Sequence, residues 1–177
     1  LVKNNFDLSD LILYLRLNGF NATNIKFVIN VDSYFDTPNK DLLKNGGSFR
    51  IRKTNKGKIK GTFKYPMDNN DVYTKRLEIE KILTENSFTE LMNRFNDLKY
   101  DIKSICPFPV LKINNHRQEI TLTKDNNYVE IAFDTIIYDN KTLERMLEIE
   151  LKEGSSPNIL IEIDKLVQKR FNLELTK

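Results

Sequence analysis

Charged and apolar side chains alternate in one short segment after another, and this alternation limits the possible folds of the chain more than any other feature. In residues 48–53, Arg50 and Arg52 alternate with Phe49 and Ile51. Side chains two residues apart lie on the same face of a β-strand, so this segment has one charged face and one apolar face. Four other segments repeat the pattern: 58–65, 72–82, 128–137 and 143–152. The chain is therefore predicted to be rich in half-buried strands.

The order of the predicted elements favours an antiparallel sheet or barrel, because many strands follow one another in hairpin order and helices are few. Eight strands are predicted, at 27–35, 48–53, 58–65, 72–82, 110–113, 117–123, 128–137 and 143–152. Asn114 and Asn115 are expected to interrupt the sheet between the fifth and sixth of them. Apolar residues at helical spacing predict helices at 7–18, 87–100 and 156–171.

Composition is typical of a globular protein with one domain, taken here as residues 1–177. Hydrophobic residues make up 40% and charged residues 30% of the 177 residues. The net charge of +3 is too small to favour nucleic acid or a membrane surface as a partner. The single cysteine, Cys106, cannot form an intramolecular disulfide, and the apolar runs are too short to span a membrane. A cytoplasmic location is therefore expected.

The charged face of the predicted sheet has two interpretations. It is either the wet face of a half-buried sheet or a site for a polyanion. Arg50, Arg52 and Arg76 favour the second, because a planar guanidinium matches two phosphate oxygens. Carboxylates also come in pairs, such as Glu78 with Glu80, and oxygen-only ligands suit Mg²⁺ or Mn²⁺. Periodicity alone leaves both interpretations open.

Seven short motifs occur in an order that covers nearly the whole chain. They are Tyr34-Phe35-Asp36-Thr37, Asp41-Leu42-Leu43, Ser48-Phe49-Arg50-Ile51-Arg52, Thr62-Phe63-Lys64, Arg76-Leu77-Glu78-Ile79-Glu80, Val129-Glu130-Ile131-Ala132-Phe133-Asp134 and Leu147-Glu148-Ile149-Glu150-Leu151-Lys152. In these motifs the chain resembles the CYTH family, also called the triphosphate tunnel metalloenzymes. It is most similar to the members that hydrolyse inorganic triphosphate.

The resemblance implies a fold, a chemistry and a set of site residues. The fold is mainly β (α+β), a closed antiparallel barrel of eight strands with a charged tunnel inside and helices packed outside. The chemistry is hydrolysis of a small-molecule triphosphate or polyphosphate with Mg²⁺ or Mn²⁺. The resemblance assigns phosphate binding to Arg50, Arg52, Lys64, Arg76, Lys112 and Arg117. It assigns metal binding to Glu78, Glu80, Glu130, Asp134, Glu148 and Glu150, and catalysis to Glu148, Glu150 and Lys152.

One motif of the family is missing from this sequence. The family begins with a strand that carries Glu-x-Glu-x-Lys, whereas this chain begins Leu1-Val2-Lys3-Asn4-Asn5. We expect the first strand to be absent from this chain, which affects metal binding and turnover more than phosphate binding. Three functions remain open: a metal-dependent triphosphatase acting on tripolyphosphate or on a nucleoside or thiamine triphosphate, a class IV-type adenylate cyclase, and a non-catalytic polyphosphate-binding module.

Overall fold

Strands dominate the computed structural model, which describes residues 6–67, 76–138 and 142–171. The strands are β1 (Asn21–Ala22), β2 (Lys26–Phe35), β3 (Ser48–Thr54), β4 (Ile59–Pro66), β5 (Arg76–Leu83), β6 (Leu111–Lys124), β7 (Asn127–Tyr138) and β8 (Thr142–Leu151). The helices are α1 (Leu8–Leu17), α2 (Asp41–Lys44), α3 (Phe88–Arg94) and α4 (Asn158–Phe171). The predicted mainly β class is confirmed. None of these helices is both long enough and apolar enough to cross a membrane.

The described strands form one sheet in the order β5-β4-β3-β2-β6-β7-β8, with β1 paired to β6. The pairings of β1 with β6, and of β2, β3, β4 and β5 in succession, are antiparallel, as the hairpin order predicted. Closure of the sheet into a barrel, which the resemblance implies, stays a prediction. The expectation that the first strand is missing concerns residues 1–5, and the predicted fourth strand includes residues 72–75. Both segments lie outside the described residues.

The predicted interruption at Asn114 and Asn115 is wrong, because β6 runs without a break from Leu111 to Lys124. The alternation of burial continues through the asparagine pair. Ile113 and Asn115 are buried, while Asn114 and His116 are exposed. Asparagine is rare in strands, but here one of the two side chains continues the buried face and the other continues the exposed face.

The second predicted helix is shorter than expected, because α3 ends at Arg94 although the apolar pattern continues to residue 100. Ser87 caps its start by accepting a hydrogen bond from the backbone N–H of Glu90 at 3.1 Å. The chain leaves the helix at Phe95, whose buried ring packs against Phe49 with 5.1 Å between centroids. A turn then carries Leu98 onto the same core, so apolar spacing persists without helical backbone.

Helix α1 shows how local sequence sets the position of an element. Its first turn is capped by the Asp7 carboxylate, which accepts a hydrogen bond from the N–H of Ser9 at 2.7 Å. Its apolar residues recur at helical spacing and are buried: Leu8, Leu11, Ile12 and Leu15. The helix ends before Gly19, which has the positive φ of +88° that glycine adopts most readily. Two short elements, β1 and α2, were not predicted.

Two compact units divide the described chain, and each has its own core. The first unit comprises residues within 1–28, 116–137 and 141–176, and in it α1 and α4 cover the apolar side chains of β6, β7 and β8. The second unit comprises the described residues within 29–115 and 138–140, and in it α3 covers the apolar side chains of β3, β4 and β5. Helices thus cover apolar strand faces, as predicted. That the whole chain is one domain stays a prediction.

Candidate functional site

In the second unit, strand register gathers cationic side chains on one face of β3 and β4. Arg50 and Arg52 lie on β3, and Lys60 and Lys64 lie on β4. Arg52 is paired in register with Lys60, and Arg50 with Thr62. The opposite faces of the same strands carry buried aromatic and aliphatic residues of the core. We call these four cations the basic face; its two arginines and Lys64 were predicted from the sequence, and Lys60 was not.

Asp32 on β2 fixes the two arginines of the basic face, although it was not among the predicted site residues. The register pairs it with Arg52, whose Nε donates to Oδ1 at 2.7 Å and whose Nη2 donates to Oδ2 at 2.6 Å. Arg50 also donates from Nη1 to Oδ2 at 3.4 Å. The Asp32 side chain is 0% exposed, and those of Arg50 and Arg52 are 13% and 14% exposed. Alternation along β2 could have revealed Asp32, since Asn30, Asp32 and Tyr34 share one face.

Arg50 has a second partner in Tyr34. Its Nη1 lies 3.3 Å from the phenolic oxygen, and its guanidinium carbon lies 6.0 Å from the centre of the tyrosine ring. Burial alone would lower the pKa of Arg50, but the adjacent Tyr34 and Asp32 oxygens outweigh it and raise the pKa above its ordinary value. Arg50 therefore keeps its positive charge although it is largely removed from water.

The lysines of the basic face pair with glutamates on β5. Lys64 Nζ lies 2.9 Å from a carboxylate oxygen of Glu78, and Lys60 Nζ lies 2.5 Å from one of Glu80. Both glutamate side chains are 40% exposed, so these pairs are wetter than the Asp32 pairs. Burial raises the pKa of Glu80, but the hydrogen bond and charge of Lys60 outweigh it and lower the pKa below its ordinary value.

In the first unit, Arg117 brings two predicted carboxylates together. Its Nε and Nη2 donate to the two oxygens of Asp134 at 2.7 and 2.5 Å, and Nη2 also donates to Glu148 at 2.6 Å. Asp134 is 2% exposed at its side chain. Burial lowers the pKa of Arg117, but Asp134 and Glu148 outweigh it and raise that pKa far above its ordinary value.

The contact between Arg117 and Asp134 follows from the hairpin turn that joins β6 and β7. Asp125 and Asn126 both have positive φ, at 47° and 62°, which is the backbone of a two-residue type I′ turn. Such a turn places Lys124 opposite Asn127, and counting back along β6 and β7 places residue 117 opposite residue 134. The asparagine-rich turn therefore fixes which arginine meets which aspartate.

The other predicted site residues lie in less enclosed positions. Lys152 Nζ, just after β8, lies 3.0 Å from Glu130 and 3.8 Å from Glu150. Arg76 at the start of β5 and Lys112 at the start of β6 are exposed. The predicted site residues therefore divide between the two units. Arg117, Glu130, Asp134, Glu148, Glu150 and Lys152 belong to the first unit, and Arg50, Arg52, Lys64, Arg76, Glu78, Glu80 and Lys112 belong to the second.

The arrangement of carboxylates does not fit a divalent ion. Within residues 6–67, 76–138 and 142–171, no three His, Cys, Asp or Glu side chains come close enough together to hold one. Every predicted metal ligand instead contacts a cationic side chain. The contacts are Glu78 with Lys64, Glu80 with Lys60, Glu130 and Glu150 with Lys152, and Asp134 and Glu148 with Arg117. Their oxygens have the chemistry that Mg²⁺ prefers, but here they neutralise lysines and arginines.

Sequence comparison decides the family. Residues 2–173, nearly the whole chain, match the CYTH domain. The chain belongs to the CYTH family. Members of this family bind triphosphate-type substrates, are generally metal-dependent, and are often triphosphatases or cyclases. No curated protein matches the sequence significantly.

Several solved structures resemble this CYTH chain in fold. A Bacillus halodurans protein named as a candidate adenylate cyclase has a TM-score of 0.62 and 19% identity, over 85% of this chain and 78% of that one. The PH1819 protein of Pyrococcus horikoshii OT3 has a TM-score of 0.57 and 21% identity, over 96% and 88%. A Hippeastrum protein, described as a candidate adenylyl cyclase with a dominant triphosphatase activity, has a TM-score of 0.55 and 14% identity, over 94% and 84%. At these identities the likeness shows the fold alone.

Proposed function

We propose that this CYTH chain binds a triphosphate-containing anion, supplied as its Mg²⁺ or Mn²⁺ complex, and hydrolyses it. The substrate is inorganic tripolyphosphate or a nucleoside or thiamine triphosphate. The observation that carries the proposal is the basic face of the second unit. There, two guanidiniums fixed by a buried carboxylate lie beside Lys60 on the neighbouring strand.

The basic face has the properties that phosphoryl transfer requires of a protein. The reaction depends on positioning the phosphate chain and on neutralising the charge that spreads over its oxygens, more than on covalent chemistry. Arg50 and Arg52 are largely removed from water, where hydrogen bonds to charged oxygens are stronger. Planar guanidiniums can each contact two oxygens of the same anion.

The lysine–glutamate pairs allow the basic face to exchange partners. The basic face has four positive charges, and three carboxylates compensate three of them, namely Asp32, Glu78 and Glu80. One positive charge is left uncompensated. The two glutamates are 40% exposed, so they can turn toward water when phosphate oxygens replace them beside Lys60 and Lys64. Exposed pairs of this kind contribute little stability, so their loss opposes anion binding only weakly.

Turnover is assigned to Glu148, Glu150 and Lys152 of the first unit, following the resemblance. A carboxylate can accept the proton of an attacking water, whereas a glutamine cannot. Glu148→Gln is therefore expected to remove phosphate release while tripolyphosphate binding at the basic face persists. Equal release by the variant and the wild type would contradict this assignment.

The deciding experiment measures phosphate release from tripolyphosphate with Mg²⁺, with Mn²⁺ and with EDTA. Metal-dependent release supports the proposed triphosphatase. The same assay with ATP, analysed for pyrophosphate and cyclic AMP, detects the cyclase alternative, since a cyclase releases pyrophosphate and not orthophosphate. Arg52→Ala serves as a matched variant, because it removes a phosphate contact without altering Glu148, Glu150 or Lys152.

A second candidate function is polyanion binding without turnover. It is favoured by two observations: every predicted metal ligand contacts a lysine or arginine, and the described residues contain no group of three or more side chains that could hold a metal ion. Tripolyphosphate that binds in calorimetry but releases no phosphate under any metal condition would select this function.

A further inference from the structure

We propose that Asp32 is a positioning residue, whose buried carboxylate holds Arg50 and Arg52 in the geometry that receives a triphosphate. The inference rests on the proposed function and deepens it. Asp32 is negatively charged, as the proposed ligand is, yet it lies among the cations that would bind that ligand. A carboxylate beside an anion site repels the anion, so its presence calls for a role other than its charge.

The contacts of Asp32 account for both of its oxygens. Oδ1 accepts from Arg52 Nε at 2.7 Å, and Oδ2 accepts from Arg52 Nη2 at 2.6 Å and from Arg50 Nη1 at 3.4 Å. Two parallel hydrogen bonds from one guanidinium fix both its position and the plane in which it lies. The plane of the Arg52 guanidinium is therefore set before any anion arrives.

The arginines keep donors for a ligand after these contacts are made. A guanidinium has five N–H donors, and Asp32 engages two of those on Arg52. Arg50 directs Nη1 to Asp32 and Tyr34, while its buried Nε has no hydrogen-bond partner within the described ranges. Both arginines therefore retain N–H groups that Asp32 does not engage.

Burial makes the arrangement rigid. The Asp32 side chain is 0% exposed and lies on the central part of β2, which pairs with β3 in register from Asn30 to Phe35. An unrestrained arginine loses much rotamer freedom when it binds an anion. Asp32 removes that loss in advance, and preorganisation of this kind raises affinity.

The sign of the effect of Asp32→Asn separates positioning from simple electrostatics. Removing a negative charge beside an anion site should tighten anion binding if Asp32 acts only through its charge. If Asp32 positions the arginines, the substitution frees them and binding weakens. Asparagine has nearly the same shape, and it replaces one acceptor oxygen by an NH₂ group that repels the guanidinium.

The test is isothermal titration of tripolyphosphate into the wild type, Asp32→Asn, Arg52→Ala and the double variant, below the melting temperature of each. We expect Asp32→Asn to weaken binding roughly tenfold, as the loss of charge-assisted hydrogen bonds would produce. In the Arg52→Ala background its further effect should be roughly threefold or less, because the two residues act together. Asp97→Asn, which breaks an exposed pair with Lys81 in the same unit, should bind like the wild type.

The outcomes distinguish this inference from the proposed function. A wild type that binds while Asp32→Asn binds equally or more tightly overturns the positioning role and leaves the function standing. Equal weakening by Asp32→Asn with and without Arg52 also overturns it, since Asp32 would then not act through Arg52. A wild type that does not bind tripolyphosphate refutes the function, and the positioning role with it.

A measurement on the wild type keeps the inference testable if Asp32→Asn does not fold. In ¹⁵N NMR spectra of the ligand-free protein, the Arg52 Nε–H should give a sharp resonance with slow solvent exchange near neutral pH, because its proton is held by Asp32. An Arg52 resonance broadened like those of exposed arginines would overturn the proposal.

Discussion

Arginine and lysine perform different tasks in this protein. The arginines Arg52 and Arg117 each make two hydrogen bonds to a buried aspartate on the neighbouring strand. Lys60 and Lys64 make single contacts with glutamates that are 40% exposed. A guanidinium is rigid and planar, whereas an ammonium is a mobile point charge on a flexible stem. The arginines therefore define fixed positions, and the lysines supply exchangeable charge.

Replacing Arg52 with lysine should separate geometry from charge. Arg52→Lys keeps the positive charge but cannot contact both oxygens of Asp32 or of a phosphate. We expect tripolyphosphate to bind roughly tenfold more weakly, measured by calorimetry. Lys53→Ala is the control, because Lys53 lies next to Arg52 on β3 but is exposed on the opposite face. Wild-type affinity in Arg52→Lys would show that charge alone suffices.

Replacing Arg117 with alanine should lower the denaturant concentration at which the protein unfolds. Arg117→Ala leaves Asp134 buried without its partner, and uncompensated buried charges typically lower the free energy of unfolding by about 3–5 kcal/mol. Lys26→Ala breaks a pair with Glu119 that is 65% and 26% exposed, so about 0–1 kcal/mol is expected there. Urea unfolding followed by circular dichroism compares the two variants. Equal losses would mean that the burial of Asp134 does not determine the effect.

The pair of Lys60 and Glu80 should contribute to the pH dependence of stability. The pKa of Glu80 is lowered from its ordinary value of 4.5, so the folded state binds its proton less readily than the unfolded state. The stabilisation is present above that value and is lost as pH falls through the folded-state pKa. Between pH 6 and pH 3, the urea midpoint of the Lys60→Gln variant should therefore fall by less than that of the wild type. Parallel midpoint curves for the two proteins would contradict this.

At the scale of elements, close packing of α3 on β4 determines the apolar side of the second unit. A Cβ atom placed on Gly61 would lie 2.6 Å from Leu91 Cδ1 and 2.8 Å from Phe95 Cε2. Both of these side chains are fully buried, so neither can move into solvent. Glycine in the interior of a strand usually weakens it, and here it allows the helix to approach the sheet. The position of α3 therefore depends on the absence of a side chain at residue 61.

Gly61→Ala should destabilise the protein through overpacking. Alanine has the higher strand propensity, so an effect of propensity alone would stabilise the variant. Because the methyl group would meet Leu91 and Phe95, we instead expect the free energy of unfolding to fall by about 1–3 kcal/mol. The melting temperature measures the change. A combined Gly61→Ala, Leu91→Ala variant that loses less than the two single changes together would confirm that the contact is responsible.

At the scale of the whole molecule, the proposed anion binding depends on local arrangement and not on overall charge. The net charge of +3 is small for 177 residues, while four cations gather on one face of β3 and β4. Each of the predicted metal ligands is already paired with a cation. Binding of the phosphate chain should therefore depend on arginine and lysine more than on a resident ion.

Removal of metal should thus separate binding from turnover. In EDTA, phosphate release from tripolyphosphate should stop, as the family's metal dependence implies. Tripolyphosphate should still bind in calorimetry under the same conditions, and its affinity should fall as salt rises, because ions screen the basic face. Loss of all binding in EDTA would show that the metal complex, and not the free anion, is what the basic face recognises.

The sequence by itself determined the mainly β class, the position of most strands and the separation of charged from apolar faces. These properties are local, since alternation, turn residues and helix caps act over a few residues. It also determined that Arg50 and Arg52 share a face, because they lie two residues apart on one strand.

The hairpin turn at Asp125 and Asn126 matches Arg117 with Asp134 locally, but in the second unit only the tertiary structure decided which charges meet. Asp32 lies far from Arg52 in the sequence and reaches it through the register of β2 and β3. The same is true of the lysine–glutamate pairs, which turn predicted metal ligands into partners of cations. At the end of α3, the ring of Phe95 packs against Phe49 in the core. In β6, the alternation of buried and exposed side chains continues through the two asparagines. Where no tight turn joins two strands, alternation shows which side chains share a face but does not by itself specify which residues of the two strands lie opposite each other.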